Sequence, residues 1–104
     1  MAERYCELMT YFTLAIHYPV PEHIDDLLNA MRRLSEAAHD IEGLTDMSAW
    51  VDDASGRVFA TSTWDSAEHA QAAWQRLGAL AAETPFSQWE RQPREVFMKL
   101  RQGA

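Results

Sequence analysis

Hydrophobic and polar residues alternate along residues 10–18, near the start of the chain. One row of the alternation contains Phe12, Leu14, Ile16 and Tyr18. The other row contains Tyr11, Thr13, Ala15 and His17. A period of two is typical of a β-strand with one covered face. We predict a first strand here, and we assign its more hydrophobic row to the covered face.

The next segment changes to the period of a helix. Pro21 suits a first helical turn, and apolar residues then recur at steps of three and four. They are Ile24, Leu27, Leu28, Met31, Leu34 and Ala38. This pattern predicts an amphipathic helix that packs on a sheet, followed by a turn at Gly43.

The rest of the chain repeats both patterns. Residues 44–51 and 57–64 are predicted strands, joined by the hairpin loop VDDASGR. A second helix begins at a cap formed by Asp65 or Ser66 and runs to about Ala82. Its predicted buried side is Ala70, Ala73, Trp74, Leu77 and Leu80. Residues 83–93 are predicted to be irregular, residues 95–100 form a last strand, and residues 101–104 form a tail.

The predicted order is β-α-β-β-α-β, the ferredoxin-like α+β arrangement, as one domain over residues 1–104 with its core at about residues 8–100. Two helices cover only one face of a four-stranded antiparallel sheet. The strand alternation leaves apolar residues on the other face, namely Tyr11, Ala15, Val51 or Trp50, Phe59 and Phe97. We expect a second copy of the chain to cover this face in a homodimer.

Charge and cysteine content narrow the possible partners and compartment. The chain has 9 basic and 16 acidic residues and a net charge of −7, which argues against nucleic acid or an anionic membrane as a partner. Cys6 is the single cysteine, so we expect a reducing, cytoplasmic setting. The apolar stretch LMTYFTLAI is too short to span a membrane.

Motifs for common cofactors are missing from the sequence. It contains no G-x-G-x-x-G, P-loop, G-x-S-x-G or C-x-x-C pattern. Its four histidines do not occur at the spacing of a metal site. We therefore expect neither a cofactor nor a bound metal.

Two segments, IEGLTDMSAWVDD and FATSTWDSAEHA, resemble the antibiotic biosynthesis monooxygenase family. Gly43 matches the glycine after the first helix, Trp64 the aromatic residue that ends the third strand, and Asp65–Ser66 the acid–serine pair that starts the second helix. The resemblance implies a dimeric α/β barrel. Some members that this chain resembles oxidise anthrone-type polyketides with O₂ and without a cofactor. The resemblance implies that Trp64, like the matching tryptophan of those members, lies in the pocket.

The resemblance therefore predicts a cofactor-independent monooxygenase for a flat aromatic or polyketide-type substrate. Trp64 is the predicted catalytic tryptophan, and His69 or His39 is the candidate base. The predicted substrate-binding residues are Phe12, Leu14 and Ile16 as the floor, Trp64 and Trp74 as the walls, and Phe86 and Trp89 as a lid or clamp.

Two alternatives remain open. The resembling oxygenases have an asparagine four residues before the strand-three tryptophan, where this chain has Ala60. That difference favours a ligand-binding or stress-related dimer without catalysis, in which the tryptophans are structural. The second alternative is a haem-degrading enzyme. The haem-degrading relatives have a tryptophan on the second helix, and its position falls within one residue of Trp74. They differ at Phe12 in the first strand and at Glu83 or Thr84, the position of the iron ligand.

Overall fold

The computed structural model describes residues 11–104, so Cys6 and the predicted strand start at Thr10 lie outside the described residues. The strands are β1 (Tyr11–His17), β2 (Leu44–Asp52), β3 (Arg57–Trp64) and β4 (Glu95–Arg101). The α-helices are α1 (Ile24–Ala38), α2 (Ala67–Ala81) and the short α3 (Phe86–Trp89). A 3₁₀ turn, Pro21–His23, precedes α1.

Within the described residues, the strands form one sheet in the order β2-β3-β1-β4. Each neighbouring pair is antiparallel. Because β3 lies between β1 and β2, the connection through α1 crosses over one strand, as the split βαβ unit requires. The predicted ferredoxin-like α+β fold is therefore confirmed.

The strand and helix boundaries agree with the sequence pattern to within one or two residues, with one added element. The segment predicted to be irregular contains α3, a single helical turn. At the start of α2 the cap is Ser66, whose hydroxyl accepts a hydrogen bond from the backbone N–H of His69 at 3.1 Å. The carboxylate of Asp65 instead forms a hydrogen bond with the side chain of that same histidine.

The helices cover the sheet face opposite to the one assigned from the alternation. In the register, Tyr11 pairs with Trp64, Thr13 with Ser62 and His17 with Val58, and directly paired residues share a face. Trp64 packs in the core with Ala38, Ala70, Ala73 and Leu77. The predicted face assignment of β1 is therefore wrong. Both rows are largely apolar, and the row with more polar groups is covered because those groups are hydrogen-bonded inside.

The sheet face away from the helices has a large apolar surface. Phe12, Leu14 and Ile16 lie on it, paired across the sheet with Thr63, Thr61 and Phe59. Trp50 extends this surface on β2 and is 62% exposed, and Phe97 extends it on β4. We refer to these residues as the open face. The row Phe12, Leu14 and Ile16, which the sequence pattern predicts to be covered by the helices, lies on the open face. The open face is therefore more hydrophobic than predicted.

Candidate active site

A cavity of about 560 Å³ lies between the sheet and the helices. Strands β1, β2, β3 and β4 supply one side of it, and α1 and α2 supply the other. Its walls are mostly apolar and include Leu28, Met31, Met47, Val51, Trp74 and Leu77. A cavity of this size and character is typical of a site for a small organic molecule.

The cavity wall also carries hydroxyl and charged side chains, and His17 is the histidine among its lining residues. Thr13 and Ser62 also line the cavity, but their hydroxyls are hydrogen-bonded to each other. Arg32 and Glu36 of α1 contribute charge from the helix side, and Arg94 does so from the residue before β4. The ionisable groups therefore border a cavity whose remaining wall is largely apolar, with serine and threonine hydroxyls as its other polar groups.

His17 forms a buried pair with Glu90. Its Nδ1 lies 2.9 Å from Glu90 Oε1, and the two side chains are 5% and 4% exposed. The same Oε1 accepts a hydrogen bond from the backbone N–H of Tyr18 at 3.2 Å. Since Oε1 already acts as an acceptor, the network favours an imidazole that carries its proton on Nδ1 and donates it to Glu90. Nε2 then keeps its lone pair.

Backbone contacts fix this pair on both sides. The N–H of Arg91 donates to the carbonyl of Tyr18 at 2.9 Å, and the N–H of Val20 donates to the carbonyl of Trp89 at 2.8 Å. The segment that carries Glu90 is therefore held alongside the segment that follows His17. A ring-to-ring contact with Phe86, at 5.4 Å between centroids, restrains the imidazole further. Such support holds a functional side chain in one orientation.

Burial lowers the pKa of His17 below its usual value, because the charged imidazolium loses its solvation there. Glu90 acts in the opposite direction through its charge and hydrogen bond, and the positive charge of Arg94 adds to the lowering. Within residues 11–104, every buried side-chain nitrogen or oxygen has a hydrogen-bond partner. Among the described residues none bonds Nε2 of His17, and the residue itself lines the cavity.

Arg94 supplies a positive charge at the cavity beside this pair. Its guanidinium carbon lies 4.9 Å from the centroid of the Phe86 ring, a cation–π contact that orients the group. Among the described residues no carboxylate forms an ion pair with Arg94. A guanidinium placed in this way can bind an anionic oxygen of a ligand.

The predicted binding residues divide into two groups. Trp74 and Phe86 line the cavity, and Trp74 is 43% exposed. Phe12 and Ile16 do not, since they lie on the open face; Leu14 borders the cavity although its register also places it on the open face. Trp89 instead lines a separate pocket of about 330 Å³ and stacks on His23.

Trp64, the predicted catalytic tryptophan, is a core residue. It is 1% exposed and is not part of the cavity wall. Its indole Nε1–H donates to Ser62 Oγ at 2.8 Å, so its polar group is satisfied inside the protein. Ala60, four residues earlier, does line the cavity. The position at which resembling oxygenases have asparagine is thus a small apolar patch of the wall.

The two histidines predicted as bases lie away from the cavity wall. The Nδ1 of His69 lies 2.6 Å from Asp65 Oδ1, and its Nε2 lies 3.4 Å from Glu42 Oε1. The hydrogen bond to Asp65 raises the pKa of His69, so its charged form is favoured. His39 is exposed at the end of α1, where its Nδ1 bonds the carbonyl of Glu36 at 2.7 Å. Neither side chain is oriented to remove a proton from a ligand in the cavity.

Sequence reasoning missed His17, Glu90 and Arg94 as site residues. His17 was assigned to the dimer face, and the segment containing Glu90 was predicted to be irregular. Glu90 lies 73 residues from its partner, and no local pattern indicates that contact. The sequence offers one weak signal for His17, which is its position at the end of a strand. Because both faces of that strand are apolar, the alternation alone does not show which face is buried.

Residues 11–104 contain no cluster of three or more His, Cys, Asp or Glu side chains that could hold a metal ion. None of the helices described has the length and apolar character needed to cross a membrane.

Comparison with solved structures finds the same fold in several proteins. A crystal structure of an antibiotic biosynthesis monooxygenase has a TM-score of 0.68 at 20% identity and covers 90% of this chain and 97% of its own. A Nitrosomonas europaea protein of unknown function has a TM-score of 0.74 at 12% identity, covering 94% and 93%. A conserved protein from Methanosarcina mazei has a TM-score of 0.69 at 12% identity, covering 93% and 99%.

No family model matches the sequence. No curated protein matches it either. The solved structure of an antibiotic biosynthesis monooxygenase confirms the resemblance at the level of the fold, over nearly the whole length of the chain. Proteins with this fold include one named for an activity and one of unknown function, so the activity has to be argued from the cavity itself.

Proposed function

We propose that this protein is a cofactor-independent monooxygenase that oxidises a flat aromatic or polyketide-type molecule with O₂. The observation that carries the proposal is the cavity of about 560 Å³, with largely apolar walls and a buried histidine, His17, among its lining residues. Met31, Leu77 and the indole of Trp74 suit the faces of a planar ring system. The shared fold with a protein named antibiotic biosynthesis monooxygenase supports the same assignment.

The reaction balances without an added reductant. An anthrone-type substrate loses a proton from its ring CH₂ group, and the resulting electron-rich anion reduces O₂. One oxygen atom becomes the new carbonyl of the quinone. The other oxygen atom leaves as water with the two hydrogens of the CH₂ group. The protein has to bind the substrate, remove the proton and exclude bulk water from the anion.

A homodimer through the open face is part of the proposal. Trp50, Phe59 and Phe97 extend an apolar surface across three strands, and its exposure in one chain is costly in water. The sheets of two copies packed face to face would bury it and complete the barrel that the resemblance implies. The cavity lies on the other side of the sheet, so dimer formation leaves it open to ligand.

A second function, binding of the aromatic ligand without oxidation, is favoured by one observation. Ala60 lines the cavity and supplies no hydrogen bond at the position where the resembling oxygenases have asparagine. A wall that is apolar there binds the face of a ring but does not orient a substrate oxygen. Under this alternative the protein carries or senses the ligand.

Oxygen uptake with a model anthrone tests the main proposal. We expect the wild type to consume O₂ faster than buffer, and Gly78→Leu to lose that rate. Gly78 lines the cavity, and a Cβ added there meets no heavy atom within 4 Å, so the leucine side chain extends into open space and narrows the cavity. Gly103→Leu, at an equally open position in the C-terminal tail, is the matched control.

Binding of a non-reactive flat aromatic, such as anthraquinone, separates the two functions. Quenching of tryptophan fluorescence should report it, because Trp74 lines the cavity. Binding that Gly78→Leu abolishes, together with O₂ uptake equal to that of buffer, would support the carrier function and contradict the oxygenase. The absence of both binding and uptake would contradict both functions for this ligand class.

A further inference from the structure

We propose that His17, held by Glu90, is the general base of this site, and that its substrate carries a weakly acidic C–H or O–H group on the aromatic ring system. This inference rests on the proposed function, because it specifies the proton transfer which that oxidation requires. It replaces His69 and His39, the histidines that the sequence suggested. It also adds Arg94 as the group that binds the resulting anionic oxygen.

The geometry of the pair is that of a pre-oriented base. One ring nitrogen of His17 is occupied by Glu90 at 2.9 Å, and the carboxylate oxygen that it contacts is fixed by the backbone of Tyr18. The imidazole lines the cavity, and no described residue bonds its other ring nitrogen. A carboxylate that holds one side of an imidazole fixes its tautomer and stabilises the imidazolium formed on the other side.

The charged groups around the base favour the neutral form of His17 before reaction. Arg94 and Arg32 contribute positive charge to the cavity wall from the β4 side and from α1, and Glu36 of α1 contributes negative charge. Burial and Arg94 lower the pKa of His17, while Glu90 opposes them. The lowered pKa of His17 favours the neutral imidazole, which is the form that accepts a proton.

The proton transfer itself is simple. The C–H or O–H bond of the substrate breaks, its proton moves to Nε2 of His17, and the electron pair stays on the substrate as an enolate or phenolate. Glu90 offsets the charge of the new imidazolium through Nδ1. The guanidinium of Arg94 neutralises the anionic oxygen of the substrate. No electron leaves the substrate in this step, so it requires no oxidant.

A buried histidine can also serve structure alone, and the test has to separate the two roles. Deuterium exchange without O₂ does so, because it measures proton removal independently of oxidation. Anthrone is incubated with the protein in D₂O under anaerobic conditions, and incorporation at its CH₂ group is followed by mass spectrometry. We expect the wild type to accelerate the exchange over buffer and His17→Gln to lose 10²- to 10⁴-fold of that acceleration.

Glu90→Gln and a control histidine complete the series. Glu90→Gln keeps the side-chain volume but removes the charge that stabilises the imidazolium, so exchange should fall while binding of anthraquinone persists. His23→Gln is the matched control, since His23 bonds Asp26 and lies outside the cavity wall. It should exchange at the wild-type rate. Wild-type exchange in His17→Gln, or no acceleration by the wild type itself, would overturn the proposal.

The experiment also distinguishes this inference from the function on which it rests. Accelerated exchange that depends on His17, without O₂ uptake in air, would support the base and contradict the oxygenase. Uptake of O₂ by a His17→Gln variant at the wild-type rate would support the oxygenase and overturn the base.

A measurement on the wild type covers the case in which His17→Gln does not fold. In nitrogen NMR of the imidazoles at pH 7, the histidine whose signals change in Glu90→Gln identifies His17, and it should be protonated at Nδ1 and unprotonated at Nε2. An Nε2–H tautomer or an imidazolium at that pH would contradict the assignment.

Discussion

The imidazole of His69 packs directly on the backbone of Gly43. A methyl group at Gly43 would overlap the Cβ and the Nδ1 of His69. Gly43 also has a φ of +87°, in the left-handed region. Its carbonyl accepts a hydrogen bond from the N–H of Asp65 at 2.9 Å. This contact joins the turn before β2 to the start of α2, so one glycine sets how closely the two approach.

Substitution of that glycine should be costly. Gly43→Ala adds backbone strain from a positive φ and a clash with His69, so the free energy of unfolding should fall by about 2–4 kcal/mol. Gly56→Ala is the matched control, because Gly56 has a φ of +74° but open space around it. It should cost only about 1 kcal/mol. Urea denaturation measures both, and equal losses would show that the His69 contact contributes nothing.

The ion pair of His69 should make stability depend on pH. Asp65 raises the folded-state pKa of His69 above its unfolded value of about 6.5. The stabilisation is therefore fully present below pH 6.5 and is lost as the pH rises through the folded-state pKa. The difference in unfolding free energy between the wild type and His69→Gln should be larger at pH 5.5 than at pH 9. A difference that grows with pH would contradict the pairing.

The two tryptophans on either side of the turn after β3 should respond differently to the same substitution. Trp64→Phe leaves space in the core and removes the donor to Ser62, so it should lose about 1–3 kcal/mol of stability. Trp74→Phe, at a 43% exposed position, should cost no more than about 0.5 kcal/mol but weaken the binding of a flat aromatic. Thermal unfolding measures the stability of both variants, and isothermal titration calorimetry measures ligand binding without relying on Trp74 as a reporter. A large loss of stability in Trp74→Phe with unchanged binding would contradict this assignment.

Gly78 offers a stabilising change. It lies within α2, where glycine costs about 1 kcal/mol relative to alanine, and an added methyl group meets no atom within 4 Å. Gly78→Ala should therefore raise the free energy of unfolding by about 0.5–1 kcal/mol. The midpoint of urea denaturation checks this, with Gly103→Ala in the tail as the neutral control. A loss of stability would indicate that the cavity wall at this position is closed.

The open face should control assembly. Trp50→Lys places a charge on the apolar surface of the proposed interface, where Trp50 is 62% exposed in one chain, so it should convert a dimer to a monomer with an intact fold. Leu80→Lys, at a 39% exposed position on α2, is the control and should leave the mass unchanged. Light scattering after size-exclusion chromatography gives the mass. A monomeric wild type would contradict the dimer.

The order of the elements, their approximate bounds and the fold class follow from the sequence by itself. Local periodicity determines them, because a strand or an amphipathic helix imposes its own spacing on apolar residues. The polar cap at Ser66 and the glycine turn at Gly43 are local signals of the same kind. The apolar content of the chain also required that one side of the sheet be covered by helices.

The covered face and the site depended on tertiary structure. Both rows of β1 are apolar enough to be buried, so the choice between them is made by the register with β3 and by the groups that can be hydrogen-bonded inside, such as Thr13 with Ser62. The pairing of His17 with Glu90 joins residues 73 positions apart. Contacts at that separation arise from packing of the whole chain and leave no spacing in the sequence, which is why local patterns pointed to other histidines.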